Sequence, residues 1–501
     1  MSIKDSKVIV NIFFNAIGQV VNFTHKFLIV PILMGIWGGA KLGEWYVLFS
    51  MVSSISLVNL GFSKFYGNKL RINYVNNEMS KYREDFSNAI ISSMLVIFLI
   101  LFISVVSIKL FDFSEVFSLT EWSRDEVSFS IVYLSLNIGF NIFLEMVSLL
   151  YVSVGKYSLQ PKIQSLNLLI QLVVLYFISS VHTTIVDVSL FILISTICVS
   201  ITFLIYFIIQ NRELCKVGDN VSLRKILTSF GSSSTFQLIT LSQFLVIQGA
   251  VLVVNSNLGA AFVTLYTVTR TITSGLGRQL IQIINHGIWP ELTALYAKNN
   301  LRDIKWYNTL MYKTSISITC VFSSFLLCFY NDIFELWLSD EFMPQISIVG
   351  CLLLYLLIIN LWTPASFILM ASNNVKKMSI LMLTQSLLFL VISNYYAEEF
   401  GLVGVLLILL LTELLILVPT VNKLTNNIIK SGFSEYLGLF LKFLPLILTN
   451  VALFFYLSIN PINDLFEKVL IFTSLFLIQL TYLNFFIYTK DDKNRLFVFL
   501  K

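Results

Sequence analysis

Six ionisable residues fall inside apolar stretches of this 501-residue chain: His25, Lys26, Glu145, Arg270, Arg278 and Glu413. An ionised group at mid-bilayer costs roughly 2.5–3.5 kcal/mol on insertion scales, so it lines a cavity or finds a partner. Arginine suits a desolvated anion, because its guanidinium stays charged and offers two parallel donors. Arg278 follows Arg270 by eight residues. On one helix that is ~12 Å of rise and ~80° of rotation, so both can face one lumen. With Lys26 they form a cationic set fit for an anionic ligand. Other arrangements stay open. Arg270 could pair with Glu145, Arg278 with a helix-end carbonyl, and Lys26, five residues before Pro31, could reach the interface along its own stem. His25 points ~100° away from Lys26 and reads as a packed or interfacial histidine, as does His286. Glu145 and Glu413 could carry a proton or serve as structural partners.

Catalytic patterns are missing. Gly35–Leu42 echoes a phosphate-binding loop, but Ala40 stands for its second glycine and Leu42 for its Ser/Thr. No H-E-x-x-H or G-x-S-x-G occurs. The acidic stretches Asp112–Glu126 and Asp332–Glu341 read as solvated loops, so no metal is assigned. Five cysteines show no paired metal spacing. We assign no catalytic residue and no cofactor.

The elements that must hold these residues are set by composition. Hydrophobic residues make up 57% of the chain and charged residues 12%. Soluble domains carry about 25% charged residues, so the excess apolar surface must face lipid. The net charge of +5 does not point to nucleic acid, because the basic residues lie in short loops. Apolar runs of ~20 residues suit a spanning helix. Fourteen such runs are predicted: 8–31, 43–63, 87–109, 128–153, 161–181, 184–209, 232–254, 259–288, 311–330, 344–370, 378–396, 401–421, 436–457 and 468–488. Two splits are thin, at His182–Thr184 and at Glu398–Gly401, so twelve spans is the fallback.

With the N-terminus inside, 25 basic residues fall on the inner side and four (Lys41, Lys109, Arg124 and Lys468) on the outer side. Cytoplasmic loops carry the excess of Lys and Arg. The bias predicts an even number of spans with both termini cytoplasmic. The tryptophans mostly sit near predicted span ends, and an interfacial belt accounts for most of them. A repeat is also visible. Gly61-Phe-Ser-Lys-Phe-Tyr-Gly-Asn is followed by Asn76-Asn77. Gly287-Ile-Trp-Pro-Glu-Leu-Thr is followed by Asn299-Asn300. A basic amphipathic stretch and an apolar span come after each. The second copy gives an amphipathic helix over Pro290–Tyr307, interrupted by the asparagines. This predicts two related halves of six spans, 1–210 and 211–425, plus an additional helix pair and tail over 426–501. Repeated halves place a substrate site at their interface.

Pro31-Ile-Leu-Met-Gly-Ile-Trp37-Gly-Gly, Gly43-Glu-Trp45-Tyr and Asn59-Leu-Gly61-Phe resemble the first two helices of O-antigen and polysaccharide flippases (Wzx-type). Leu265-Tyr266-Thr-Val-Thr-Arg270-Thr, Arg278-Gln279 and Trp289-Pro290-Glu291-Leu resemble the same family. It belongs to the multidrug/oligosaccharidyl-lipid/polysaccharide exporters. Asn59 departs from the pattern, where Asp commonly precedes Leu-Gly. The resemblance implies an all-α membrane protein of two six-helix lobes around a central cavity. It further implies alternating access in the bacterial inner membrane and a polyprenyl-diphosphate-linked oligosaccharide as substrate. Membrane lipids, a polysaccharide polymerase and chain-length machinery are the implied partners, in O-antigen and lipopolysaccharide synthesis. Arg270, Arg278 and Lys26 would then hold the diphosphate. A cation-coupled small-molecule or multidrug exporter of the same fold is the nearest alternative, and a membrane polymerase or glycosyltransferase the next. The latter resemble chains with a large outer loop, and every predicted outer loop here is under about 20 residues.

Overall fold

The computed structural model describes residues 3–54, 62–156, 158–178, 183–215, 234–297, 299–338, 343–372, 374–430, 433–462, 464–490 and 492–493. The Asn59-Leu-Gly61 motif, Arg224, Lys225, Asp340 and Glu341 lie outside the described residues. Among those described, all regular structure is helical. In order these are α1 (Ile3–Ser53), α2 (Phe62–Val75), α3 (Met79–Leu110), α4 (Phe113–Val116), α5 (Arg124–Ser153), α6 (Leu159–Ile178) and α7 (Ile185–Gln210). Then come α8 (Ser234–Phe244), α9 (Ala250–Leu258), α10 (Ala260–Arg270), α11 (Gly277–Ala297), α12 (Leu301–Leu338), α13 (Ile346–Asn360) and α14 (Thr363–Ala371). The last four are α15 (Lys376–Thr412), α16 (Val418–Ile429), α17 (Phe433–Ile459) and α18 (Leu465–Tyr482).

Eleven described helices are long and apolar enough to cross a membrane. Two of them fold into two arms each. Ile17–Ser53 bends at Gly38 and Lys376–Ile429 bends at Gly401, both at positive φ. These hold the first and second, and the eleventh and twelfth, predicted spans. The eighth predicted span is helical from Ala260 through a wide turn to Ala297, and its polar side chains set it apart from the eleven. The other thin split is also a true break. Thr184 caps α7, its hydroxyl accepting from the Asp187 amide while Asp187 accepts from the Thr184 amide. That capping box starts a new helix. The chain is a multi-pass α-helical membrane protein.

The repeat has a local structural counterpart. Asn77 and Asn299 both take the left-handed conformation, at φ 56° and 54°. The Asn77 amide donates to Tyr74 O and the Glu78 amide to Asn73 O; the Asn299 amide donates to Tyr296 O and the Asn300 amide to Leu295 O. Both are Schellman closures, in which asparagine tolerates the left-handed position. Gly38 and Gly259 likewise match, at φ 74°, ψ 177° and φ 93°, ψ 170°. Only glycine adopts that backbone without strain. The amphipathic stretches are not separate surface helices. Residues 290–297 finish α11, and α12 starts at Leu301, ten residues before the predicted span. Asn300 accepts from the Asp303 amide to begin it.

Two compact units divide at Thr264, inside α10. In the first, α5 packs on α2, α3, α6 and α7 around Tyr82, Phe143 and Tyr151. The buried Tyr82 hydroxyl meets Ser153 Oγ at 2.8 Å. The acidic loop before α5 binds its own backbone: Asp112 caps α4 and pairs with Arg124 at 3.1 Å, and Glu126 closes a capping box with Ser123. In the second unit, α12 packs on α11, α13, α17 and α18.

Beyond α18, Asp492 accepts from Lys313 Nζ at 2.7 Å, from Trp306 Nε1 at 3.1 Å and from the Thr489 amide at 2.9 Å. Burial pushes its pKa up, but the Lys313 and Thr489 hydrogen bonds outweigh this and hold it below the usual carboxylate range. A depressed carboxylate stabilises the fold fully above its unfolded value, about 3.9 for Asp, and loses that contribution as pH falls through the folded one. Asp492→Asn is therefore expected to melt below wild type at neutral pH. The gap should narrow as the pH falls below about 4; a pH-independent gap in detergent melting curves would contradict this.

Candidate buried polar site

The second unit brings Arg270, Arg278 and Glu413 into one neighbourhood. Arg270 ends α10, a π-helical segment follows over Thr271–Leu276, and Arg278 sits in the first turn of α11. A π turn absorbs about one extra residue. Eight residues then advance like about seven α-helical steps, roughly 700°, which leaves the arginines within about 20° of one face. The sequence expectation of ~80° is corrected by that wide turn. Glu413 opens a second π-helical segment, Glu413–Leu417, and is only 4% exposed. α13 packs against both segments.

Glu413 Oε2 accepts from Trp362 Nε1 at 2.7 Å, and the Tyr355 hydroxyl is a second donor to the carboxylate. Arg278 is within electrostatic reach of Glu413, and both arginines are within reach of Tyr355. Arg270 is braced: its guanidinium carbon lies 5.1 Å from the Tyr266 ring centroid, and Nη1 donates to Tyr266 Oη at 3.3 Å. Arg278 is half-buried and makes no hydrogen bond or ion pair among the described residues. Its charge is balanced at a distance, while its donors stay uncommitted.

The backbone around this cluster is broken and repaired by side chains. α13 stops at Asn360 and α14 starts at Thr363, with Trp362 at the cap. Asn422 Nδ2 donates to the Leu361 carbonyl at 2.9 Å, and Thr425 to Ala365 O at 3.0 Å. Broken helices survive at membrane depth where such groups are satisfied again. The break puts Trp362 inside the protein at 6% exposure. Glu413→Ala would orphan the Trp362 and Tyr355 donors, at about 1–3 kcal/mol each. Glu413→Gln keeps an acceptor. Detergent melting should therefore order wild type, Gln and Ala downward; equal melting of all three would remove Glu413 from this role.

The other sequence candidates lie in the first unit. Lys26 is exposed on α1 and Glu145 is half-buried on α5. His25 is hydrogen-bonded to Gln171 on α6. Beyond it runs a chain of uncharged polar side chains. Gln171 Nε2 donates to Thr196 Oγ1 at 3.1 Å, and Thr196 donates to Asn137 Oδ1 at 2.9 Å. Asn167 adjoins the same hydroxyl, and its Oδ1 is buried without a partner. Uncharged Asn, Gln and Thr in mid-span were the available signal. Among the described residues, no group of three or more His, Cys, Asp or Glu is placed to hold a metal.

The sequence matches no protein-family model and no curated protein. Solved structures do match. An inward-facing multidrug resistance MATE family transporter of the MOP superfamily aligns with 83% of this chain and 99% of its own, at TM-score 0.69 and 14% identity. The lipid II flippase MurJ, in an inward closed conformation, aligns with 94% of this chain and 98% of its own, at TM-score 0.60 and 13% identity. A MOP superfamily transporter from Pyrococcus furiosus, described as having a binding pocket of reversed polarity, covers 85% and 96%, at TM-score 0.58 and 14% identity. At these identities the likeness is one of fold, shared by this chain and these three transport proteins.

Proposed function

We propose that the chain is a flippase rather than an enzyme. It carries a polyprenyl-diphosphate-linked oligosaccharide from the inner to the outer leaflet of the bacterial inner membrane, by alternating access of two six-helix lobes. The observation that supports an anionic headgroup is Arg278, a half-buried guanidinium with uncommitted donors beside the braced Arg270. Lys26 is the third cation of the set, and Glu145 and Glu413 are the carboxylates available for coupling or pairing. The fold shared with a lipid II flippase accords with a lipid-linked substrate. Both termini are cytoplasmic in this reading, and 426–501 adds a helix pair to lobes 1–210 and 211–425. Deleting the gene should leave a lipid-linked repeat unit on the cytoplasmic leaflet, detectable by lectin or protease-protected labelling of oriented vesicles. Normal surface polysaccharide in the deletion strain would reject the proposal.

One observation favours a cation exporter instead. Glu413, Trp362 and Tyr355 make a buried acidic and aromatic cluster, a combination that suits a lipophilic cation. Drug sensitivity of the deletion strain with unaltered lipid-linked sugars would support that second reading.

A further inference from the structure

We infer that α12 and the last helix form one two-helix body, clamped at both ends by ion pairs of opposite polarity. This goes beyond the proposed function and does not depend on it.

The contacts run the length of both helices. At one end Lys468 of α18 meets Asp332 of α12 at 2.7 Å. Next, the Phe472 ring lies 5.8 Å from Phe329 and 5.5 Å from Phe325, centroid to centroid. Ser324 Oγ donates to Gln479 at 3.4 Å, and Ile487 packs with Ile316 and Cys320. Tyr488 reaches Ser317, and at the far end Asp492 holds Lys313 at 2.7 Å together with Trp306. The order is antiparallel throughout.

Spacing and sign give this ladder its meaning. Lys313 and Asp332 are separated by nineteen residues of one helix, or about 28 Å. The hydrocarbon core is about 30 Å thick. The two pairs thus sit about one hydrocarbon thickness apart. α12 supplies the cation at the Lys313 end and the anion at the Asp332 end, and the final segment supplies the reverse. Turning the last helix end for end would set Lys468 against Lys313 and Asp492 against Asp332. The charge pattern therefore fixes both the direction and the depth of the last helix. It also ties the segment that follows the last span, as far as Asp492, to α12. All four side chains are at least two-thirds buried, Lys468 at 6% and Lys313 at 10% exposed. Removing one partner strands a poorly hydrated charge, while exchanging both preserves the attraction.

The test uses full-length protein in nanodiscs, with the native cysteines replaced and spin labels at Leu336 and Phe466. These positions lie near the Asp332–Lys468 pair and are 90% and 74% exposed. One narrow distance distribution is expected. Lys468→Ala should broaden it and lower the melting temperature, and Asp332→Lys with Lys468→Asp should restore both. Lys313→Ala should likewise lower the melting temperature; the charge swap is confined to the Asp332–Lys468 pair, because Asp492 also accepts from Trp306 and the Thr489 amide. Two distances in the parent protein, or alanine variants identical to it, would overturn the clamp. If single variants fail to accumulate, recovery of expression in the swapped Asp332–Lys468 pair counts for the clamp, and no recovery counts against it.

Discussion

Arg278→Ala is expected to reduce glycan export about a hundredfold at equal protein level, assayed as surface polysaccharide in a complemented deletion strain. The magnitude follows from what the residue can offer. Among the described residues its donors are uncommitted, so they are available to a diphosphate. Hydrogen bonds involving a charged group contribute about 1.5–3 kcal/mol each, and each 1.4 kcal/mol is tenfold in affinity. Losing two such bonds exceeds a hundredfold before compensation by Arg270. Arg278→Lys keeps the charge without the two-pronged geometry and should lie between. Arg270→Ala should cost less, because Tyr266 already engages part of that guanidinium. Wild-type export by Arg278→Ala would end the headgroup assignment.

Gly43→Val is expected to prevent stable folding. A Cβ at Gly43 would overlap the Ala260 carbonyl and come within 2.8 Å of Thr264 Oγ1. The two helix segments approach so closely that Thr264 donates to the Gly39 carbonyl at 2.7 Å. Overpacking usually costs about 1–3 kcal/mol because side chains can move aside. Here the obstacle is backbone, so the cost should reach or pass the top of that range. Gly67→Val is the comparison. Its Cβ would meet only the Leu149 side chain, at 3.2 Å. Membrane yield and detergent melting should fall sharply for the first and modestly for the second; equal behaviour would contradict the close approach.

Much of the fold was legible because lipid imposes simple rules. Apolar runs marked the helices, and even the two thin splits, at Thr184 and Gly401, are true breaks. Most of the basic residues that the charge bias leaves on the outer side have partners. Of the four basic residues assigned to the outer side, Arg124 pairs with Asp112, Lys468 with Asp332, and Lys41 lies 4.9 Å from the Trp122 ring centroid. The candidate site was legible only as single residues. Arg270, Arg278 and Glu413 stood out by charge. Tyr355 and Trp362 did not, because an aromatic side chain in an apolar span is ordinary until a buried carboxylate is found beside it. Nothing in local composition marks a π turn, so the angle between the arginines could not be read correctly.

The wide turns at Thr271–Leu276 and Glu413–Leu417 bear on how this chain tolerates changes in length. Each behaves as a single-residue insertion that the helix has absorbed without breaking. Deleting one residue from such a turn would let ordinary helical winding run through it. The flanks would keep their relative rotation, because seven α-helical steps would replace the eight residues that now advance like seven. Arg270 and Arg278 would still share a face, drawn closer along the axis by about the rise of one residue. The same deletion in an ordinary stretch of helix would rotate everything upstream by about 100° relative to everything downstream. A one-codon deletion is thus expected to be gentler inside these two turns than in the regular helix on either side of them.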